Sequence, residues 1–190
     1  MTAPPLLEFR GVSKTFRARG RRVTALRAVS LAVAPGETLA IAGESGGGKT
    51  TLGRIALGIL APDEGRILWN GAERAPSRLA RPQGIFQDPG TSLDPRWRAS
   101  EIVTEALALA RDPAVRGAAA RARRAAELLA AVGIDPGRAR HYPHQFSGGE
   151  RQRLAIARAI APRPRLIVAD EPLAALDVLT AAEILALLRR

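Results

Sequence analysis

A glycine-rich segment followed by lysine and threonine carries the strongest chemical signal in this sequence. Residues 43–50 fit the pattern G-x-x-x-x-G-K-[ST] between a predicted buried strand, residues 37–42, and a predicted helix, residues 49–59. Glycines let the backbone take positive φ and approach an anion, and successive amides can then form an anion-binding nest. Lys49 would contact β- and γ-phosphates, and Thr50 would offer a hydroxyl to Mg²⁺. The predicted contacts with a nucleotide are Gly43, Glu44, Ser45, Gly46, Gly47, Gly48, Lys49, Thr50 and Thr51.

Two adjacent acids supply a second candidate site. Asp170 and Glu171 follow an apolar run, residues 165–169, that is predicted to be a buried parallel strand. Such a strand is expected to end beside the phosphate loop. Alternation along the strand would direct Asp170 to Mg²⁺ and Glu171 to a water that attacks the γ-phosphate. The alternative is that the two acids begin a solvated turn before Pro172.

The composition restricts the possible functions. The chain has 190 residues and no cysteine, which excludes disulfides and thiolate metal sites. No signal peptide or membrane-spanning apolar stretch is recognisable, so membrane association is expected to be peripheral, through a partner. A net charge of +11 raises the possibility of nucleic-acid binding. The arginines are scattered and aromatics make up only 4%, which favours an arginine-rich surface on a nucleotide-binding protein without direct nucleic-acid contact.

The order of predicted elements indicates an α/β protein. Strands at residues 6–12, 26–33 and 65–69 precede alanine-rich helices between residues 99 and 132, and a strand at 165–169 and a helix at 178–190 close the chain. Residues 17–22 are predicted to be a basic turn. We expect one domain, residues 1–190, that carries a helical insert at about residues 89–161.

A second glycine motif introduces a family resemblance. Residues 146–153, F-S-G-G-E-R-Q-R, resemble the signature of ABC-type ATPases, whose usual core is L-S-G-G-Q. The resemblance implies that Ser147, Gly148, Gly149 and Glu150 contact the γ-phosphate of an ATP that a second subunit binds. A plain helix cap, with Ser147 and Glu150 in a capping box, fits the same residues, and both interpretations can hold together.

Further segments extend the resemblance over residues 6–190. Gln87 resembles the Q-loop glutamine, residues 174–177 resemble the D-loop, and Phe16 lies where the family places an aromatic on adenine, although a core phenylalanine is nearly as well supported. Residues 86–96 and 141–149 resemble the ATP-binding subunits of oligopeptide, dipeptide and nickel importers.

The resemblance implies a P-loop nucleotide-binding domain with an N-terminal antiparallel β part and an α-helical insert. It implies an ATP-binding and ATP-hydrolysing subunit that energises import of peptides, nickel or a related small solute, with ATP and Mg²⁺ as cofactors. Its expected partners are transmembrane permease subunits and a second nucleotide-binding subunit, identical or different, and its expected location is the cytoplasmic face of the cell membrane. The implied roles are catalysis for Glu171, Gln87 and Lys49, and metal binding for Thr50, Gln87 and Asp170.

Several positions depart from the family pattern. Gly47 replaces Ser or Cys, Ala174 replaces Ser, and Glu150 replaces Gln, which would oppose phosphate unless its carboxylate faces solvent. The sequence stops at Arg190, before the expected strand and switch-loop histidine, so we expect a C-terminally truncated domain with weak or no steady-state hydrolysis. Two alternatives follow: a truncated, non-catalytic nucleotide-binding module, or a soluble ABC ATPase acting on nucleic acid or ribosomes.

Overall fold

A computed structural model describes residues 4–18, 20–73, 82–87, 92–109, 111–173 and 175–188. The chain divides into two compact units, Met1–Ser77 and Arg78–Arg190, and each is described here by itself. The single domain and the insert at residues 89–161 stay predictions, and Pro89 lies outside the described residues.

The first unit contains a three-stranded antiparallel sheet. Strands β1 (Leu7–Ala18), β2 (Arg21–Val33) and β3 (Glu64–Trp69) are arranged in the order β2-β1-β3, which confirms the predicted antiparallel β part. Leu7 and Phe9, two residues apart in β1, are both buried, as expected for a strand with one face on a core.

The β1–β2 hairpin is longer than predicted. Residues 17–22 do not form an insert, because Arg17 pairs with Arg22 and Ala18 pairs with Arg21. Strand pairing uses backbone N–H and C=O groups, so the ladder continues beyond the apolar residues while Arg21 and Arg22 remain exposed.

A two-residue turn follows β3. Asn70 and Gly71 both have positive φ, 48° and 79°, the combination that a two-residue type I′ turn requires. Trp69 donates to the carbonyl of Ala72 at 2.7 Å, and Ala72 donates back at 3.0 Å.

The prediction of a strand at residues 37–42 is wrong, because these residues form no strand. All six are exposed, including Leu39 at 42% and Ile41 at 49%. Their side-chain types favour a strand, but a strand also needs a neighbour for its backbone groups, and no pairing of this segment occurs among the described residues. The phosphate-loop candidate is therefore preceded by a segment that pairs with no strand among the described residues.

The second unit combines a short parallel sheet with helices. Strands β4 (Gln83–Ile85) and β5 (Ile167–Ala169) pair in parallel. Strand β5 is two residues shorter than the strand predicted at residues 165–169, and it is not buried as predicted, since Ala169 is exposed. The helices are α2 (Ala99–Leu109), α3 (Ala118–Ala131), α4 (Gly148–Ile160) and α5 (Val178–Leu188), with 3₁₀ helices at Pro113–Val115, Pro136–Arg140 and Pro143–Gln145.

The core of the second unit lies among α2, α3, α4 and β4. Ile85, Ile102, Leu129, Leu154 and Ile156 are each at most 1% exposed and belong to one apolar cluster. Burial of each such side chain stabilises the folded unit by about 1.5–3 kcal/mol. This core therefore holds α4 and the strands in place. Among the described residues, no helix is both long and apolar enough to cross a bilayer.

Candidate functional site

The phosphate-loop candidate lies at the start of α1 (Lys49–Ala56), which is shorter than the predicted helix. Gly48 is the N-cap of this helix, with φ 86°. A Cβ atom on Gly48 would lie 2.3 Å from the carbonyl oxygen of Ala25 in β2, so only glycine fits. The close approach fixes the N-terminus of α1, and hence its exposed backbone N–H groups, against the sheet.

The side chain of Lys49 folds back over the loop. Its Nζ donates to the carbonyl oxygens of Gly43 and Glu44, both at 2.7 Å. The amide of Gly47 also donates to the Glu44 carbonyl, at 3.1 Å. The loop is thus closed on itself with an ammonium group held at its backbone, an arrangement that suits an anionic ligand.

Gly47 differs from its neighbours in backbone conformation. Gly46 and Gly48 have positive φ, 79° and 86°, whereas Gly47 does not. A Cβ there would lie 3.1 Å from the Glu44 carbonyl oxygen, so the loop would have to shift slightly to admit the serine or cysteine of the family pattern.

Phe16 is an exposed ring on β1. It is 40% exposed, so it does not belong to the core, and the adenine-stacking role stays a prediction. Lys14 Nζ lies 5.9 Å from the ring centroid and binds Asp63 Oδ1 at 2.6 Å. That hydrogen bond, with one from the Thr15 amide, holds the pKa of Asp63 below its usual value.

In the second unit, the predicted carboxylate site and the Q-loop glutamine come together. Gln87 Nε2 donates to Glu171 Oε2 at 2.7 Å. The amide of Asp170 donates to the carbonyl of Ile85 at 2.9 Å, which extends the pairing of β4 with β5 to the residue before Glu171. Glu171 is exposed and has φ 47°, an unfavourable backbone conformation for a residue with a side chain. Glu171 thus lies in a solvated turn, which was the alternative to a catalytic carboxylate. It also contacts Gln87, its predicted catalytic partner.

Gln152 is a site-supporting residue that our sequence reasoning did not identify. Its side chain is 1% exposed, and its Nε2 donates to the carbonyl of Pro172, directly after Glu171, at 2.8 Å. The sequence contained a signal for this, because Gln152 lies three and four residues before the buried Ala155 and Ile156, on the same helix face.

The signature candidate forms the N-terminus of α4. Ser147 Oγ accepts from the Glu150 amide at 3.2 Å, and Glu150 Oε2 accepts from the Ser147 amide at 2.8 Å. The capping-box interpretation is therefore confirmed. The trans-phosphate contact stays a prediction.

The Glu150 carboxylate meets a partner that we did not foresee. Its Oε1 accepts a short hydrogen bond from Arg138 Nη1. The negative charge of Glu150 is therefore paired with a positive charge. The Ser147 N–H is the largest cause of a lowered pKa at Glu150, and Arg138 also contributes.

The D-loop candidate approaches the signature candidate. A Cβ on Gly149 would lie 3.2 Å from the carbonyl oxygen of Ala175, so the two segments nearly touch. Asp177 caps α5, where its Oδ1 accepts from the Thr180 amide at 3.0 Å. Ala174 lies outside the described residues.

The predicted metal ligands are suitable for Mg²⁺ in their chemistry. Thr50, Gln87 and Asp170 offer hydroxyl, amide and carboxylate oxygens, the hard donors that Mg²⁺ prefers. Because Gln87 Nε2 faces Glu171, its Oε1 is the atom that could bind a cation. The described residues contain no cluster of three histidine, cysteine or acidic side chains that could hold a metal alone. Mg²⁺ commonly binds through one or two carboxylates together with phosphate oxygens, so such a cluster is not required.

Comparisons with known proteins agree with this set of features. A family profile described as "ABC transporter" matches residues 26–174. The chain is 42% identical to a Brucella ovis protein whose provisional name is peptide import ATP-binding protein, and the match covers 100% of the chain and 61% of that protein. It is also 42% identical to the glutathione import ATP-binding protein GsiA of Salmonella paratyphi A, over 97% of the chain and 31% of that protein. The chain thus spans less than two thirds of the length of these relatives.

A solved structure supports the fold. The chain is similar to the dimeric post-hydrolysis structure of the ATP-binding cassette MJ0796 bound to ADP and Pi, with a TM-score of 0.86 and 33% identity. The match covers 96% of this chain and 81% of that one. The α/β nucleotide-binding fold predicted from the sequence is confirmed.

Proposed function

Because this chain belongs to the ABC transporter family, we propose that it is an ATP-binding and ATP-hydrolysing subunit that energises import of peptides or a related small solute. The names of the Brucella and Salmonella relatives, which refer to peptide and glutathione import, support the solute class.

One observation carries the proposal: Lys49 Nζ is held by the carbonyls of Gly43 and Glu44 at the glycine-capped start of α1. An ammonium group and the backbone N–H groups of a helix N-terminus bind a phosphate chain through charge and directed hydrogen bonds. Phe16 would stack on the adenine, since its ring is exposed.

For hydrolysis, Glu171 would accept a proton from the attacking water. Gln87 would orient the Glu171 carboxylate, because their hydrogen bond restricts its rotation. Thr50, Asp170 and the Gln87 amide oxygen would hold Mg²⁺, which neutralises charge that develops on the phosphates. In this proposal Gln152 keeps the backbone after Glu171 in place.

We further propose that two nucleotide-binding subunits associate around ATP, with Ser147, Gly148 and Gly149 of one subunit contacting the γ-phosphate bound by the other. The dimeric MJ0796 cassette supports this arrangement. Transmembrane permease subunits would then receive the motion, with this chain peripheral at the cytoplasmic face of the membrane.

Isothermal titration calorimetry with Mg-ATP tests the proposal. The parent chain should bind ATP saturably, and Lys49→Ala should weaken binding at least about tenfold, because a charge-assisted phosphate contact contributes about 1.5–3 kcal/mol. Arg54→Ala, which removes an exposed positive charge from the same helix, is the matched control and should bind like the parent.

Turnover separates the catalytic proposal from a non-catalytic nucleotide-binding module. Glu171→Gln should bind ATP normally while kcat falls by about 10²–10⁴, the usual contribution of a general base. Equal turnover in Glu171→Gln and the parent would refute the assigned base. ATP binding that Lys49→Ala leaves unchanged would refute the phosphate loop itself.

A further inference from the structure

The strongest feature that the proposed function leaves unexplained is a cluster around the guanidinium group of Arg138. Arg138 lies in the 3₁₀ helix Pro136–Arg140, ten residues before the first residue of α4. It contacts Gln145 and Phe146, just before α4, and Glu150, in the first turn of α4, and all three contacts lie within the second unit.

The first contact is the ion pair with Glu150. Arg138 Nη1 donates to Glu150 Oε1, while Glu150 Oε2 accepts from the Ser147 amide. Both carboxylate oxygens are therefore engaged. The side chains are only 29% and 22% exposed, so the pair is partly withdrawn from water and is weakly screened by salt.

The other two contacts fix the orientation of the guanidinium. Arg138 Nη2 donates to the carbonyl of Gln145 at 2.9 Å. Its Cζ lies 4.3 Å from the centroid of the Phe146 ring, within cation–π distance. A planar guanidinium can make an ion pair, a backbone hydrogen bond and a ring contact together, which an ammonium cannot reproduce.

This cluster resolves an electrostatic conflict at the signature candidate. The Glu150 carboxylate stabilises α4 in two ways. It accepts a hydrogen bond from the Ser147 amide, and its negative charge lies near the positive end of the helix dipole. The same carboxylate would repel a phosphate that approaches the same helix end. Arg138 supplies the compensating charge without displacing the cap.

We propose that Arg138 is a positioning residue that makes the segment Ser147–Gly149 competent to bind the ATP of a second subunit, because it neutralises Glu150 and holds Phe146. This inference rests on the proposed function, in which the signature candidate contacts a nucleotide held in trans. Arg138 lies outside residues 141–153, which carry the signature candidate and the importer resemblance.

The inference predicts a specific rescue. In Arg138→Gln the carboxylate of Glu150 loses its counter-charge and faces the incoming phosphates. In the double variant Arg138→Gln/Glu150→Gln no uncompensated carboxylate remains, and a glutamine at position 150 can still accept the hydrogen bond from the Ser147 amide. Arg138→Lys keeps the charge but loses the fork-shaped contact, so it separates neutralisation from positioning.

The experiment measures ATP-driven association of the whole chain by sedimentation velocity, with Glu171→Gln in every variant to prevent turnover. Arg138→Gln should weaken association at least about tenfold, as expected for an unpaired like charge near phosphate. The double variant and Arg138→Lys should both lie between Arg138→Gln and the parent, because each removes the uncompensated charge but loses the contacts of the guanidinium with Gln145 and Phe146. Arg140→Gln removes an exposed charge from the same 3₁₀ helix and should associate like the parent.

A second measurement separates this inference from the proposed function. Calorimetry at protein concentrations below association should give parent-like ATP affinity for Arg138→Gln, because Lys49 and its loop are unaltered. A double variant no better than Arg138→Gln would overturn the role of Arg138, as would equal behaviour of Arg138→Gln and Arg140→Gln. Lack of ATP-driven association in the parent would also overturn it, and lack of ATP binding in the parent would refute the proposed function as well.

Discussion

The amide of Gln87 donates a 2.7 Å hydrogen bond to the carboxylate of Glu171, although the two residues are 84 positions apart in the chain. The parallel pairing of β4 with β5 explains the contact, because Ile85 and Ala169 are paired and Gln87 and Glu171 each lie two residues beyond them.

 Strands β4 and β5 run in the same direction, so Gln87 and Glu171 both follow the same edge of the sheet.

This contact predicts how catalysis depends on Gln87. Gln87→Ala should lower kcat at least about tenfold, because a hydrogen bond to a charged group contributes about 1.5–3 kcal/mol. Gln87→Glu replaces the amide donor with a carboxylate beside Glu171, so kcat should fall at least as far as in Gln87→Ala. Steady-state kinetics compares both variants with the parent, and a parent-like kcat in both would contradict the contact.

The fit of Gly48 against Ala25 predicts a steric requirement for glycine. Gly48→Ala places a Cβ 2.3 Å from a strand carbonyl, in addition to the roughly 1–2 kcal/mol that a left-handed conformation costs alanine. We expect a loss of stability greater than that cost and at least about tenfold weaker ATP binding, because the start of α1 must move.

Gly58→Ala is the matched control for Gly48→Ala. Gly58 has a similar φ of 71°, but a Cβ there would meet nothing within 4 Å. This variant should lose only about 1–2 kcal/mol and should keep ATP binding. Urea denaturation and calorimetry compare the two, and equal losses would show that the Ala25 contact is unimportant.

The bond from Gln152 to the Pro172 carbonyl predicts an effect on turnover that exceeds its effect on stability. Gln152→Leu should cost only about 1 kcal/mol of stability, the usual net value of one hydrogen bond, partly because Gln152 Oε1 is buried without a partner. The kcat should fall, since the backbone after Glu171 loses its tie to α4.

Thr104→Val is the control for Gln152→Leu. Thr104 is equally buried, and its Oγ1 donates to the Ser100 carbonyl at 2.7 Å within α2, away from Glu171. Thermal unfolding and kcat are measured for both variants. If Thr104→Val lowers kcat as much as Gln152→Leu does, general destabilisation rather than the Pro172 bond would account for the loss.

The lowered pKa of Glu150 predicts a dependence of stability on acid. The Ser147 N–H and Arg138 hold the pKa of Glu150 below its ordinary value of 4.5, so the folded chain binds that proton more weakly than the unfolded chain. Its contribution to stability is complete above the unfolded pKa and is lost as the pH falls through the folded value. Between about pH 5 and about pH 3, the Tm of the parent should therefore fall more steeply than that of Glu150→Gln. Parallel Tm curves would contradict this assignment.

Local patterns in the sequence determined much of this protein. The spacing of Gly43, Gly48 and Lys49 predicted a phosphate loop, and Ser147 with Glu150 predicted a helix cap that the structure confirms, because both devices depend on backbone groups a few residues apart. The alanine-rich pattern between residues 99 and 132 indicated the region of α2 and α3, whose buried faces repeat at helical spacing.

Pairing and counter-charges were decided by the tertiary structure. Leu39 and Ile41 have strand-forming side chains, but whether a strand exists depends on a neighbour for the backbone, which side-chain types do not specify. The sequence showed that Glu150 would oppose phosphate unless its carboxylate faces solvent. It did not show the counter-charge of Arg138, which lies 12 residues away and is brought close by the 3₁₀ helix Pro136–Arg140. Electrostatic and hydrogen-bond energies depend on distances of a few ångströms, and for residues far apart in the chain the fold alone sets those distances.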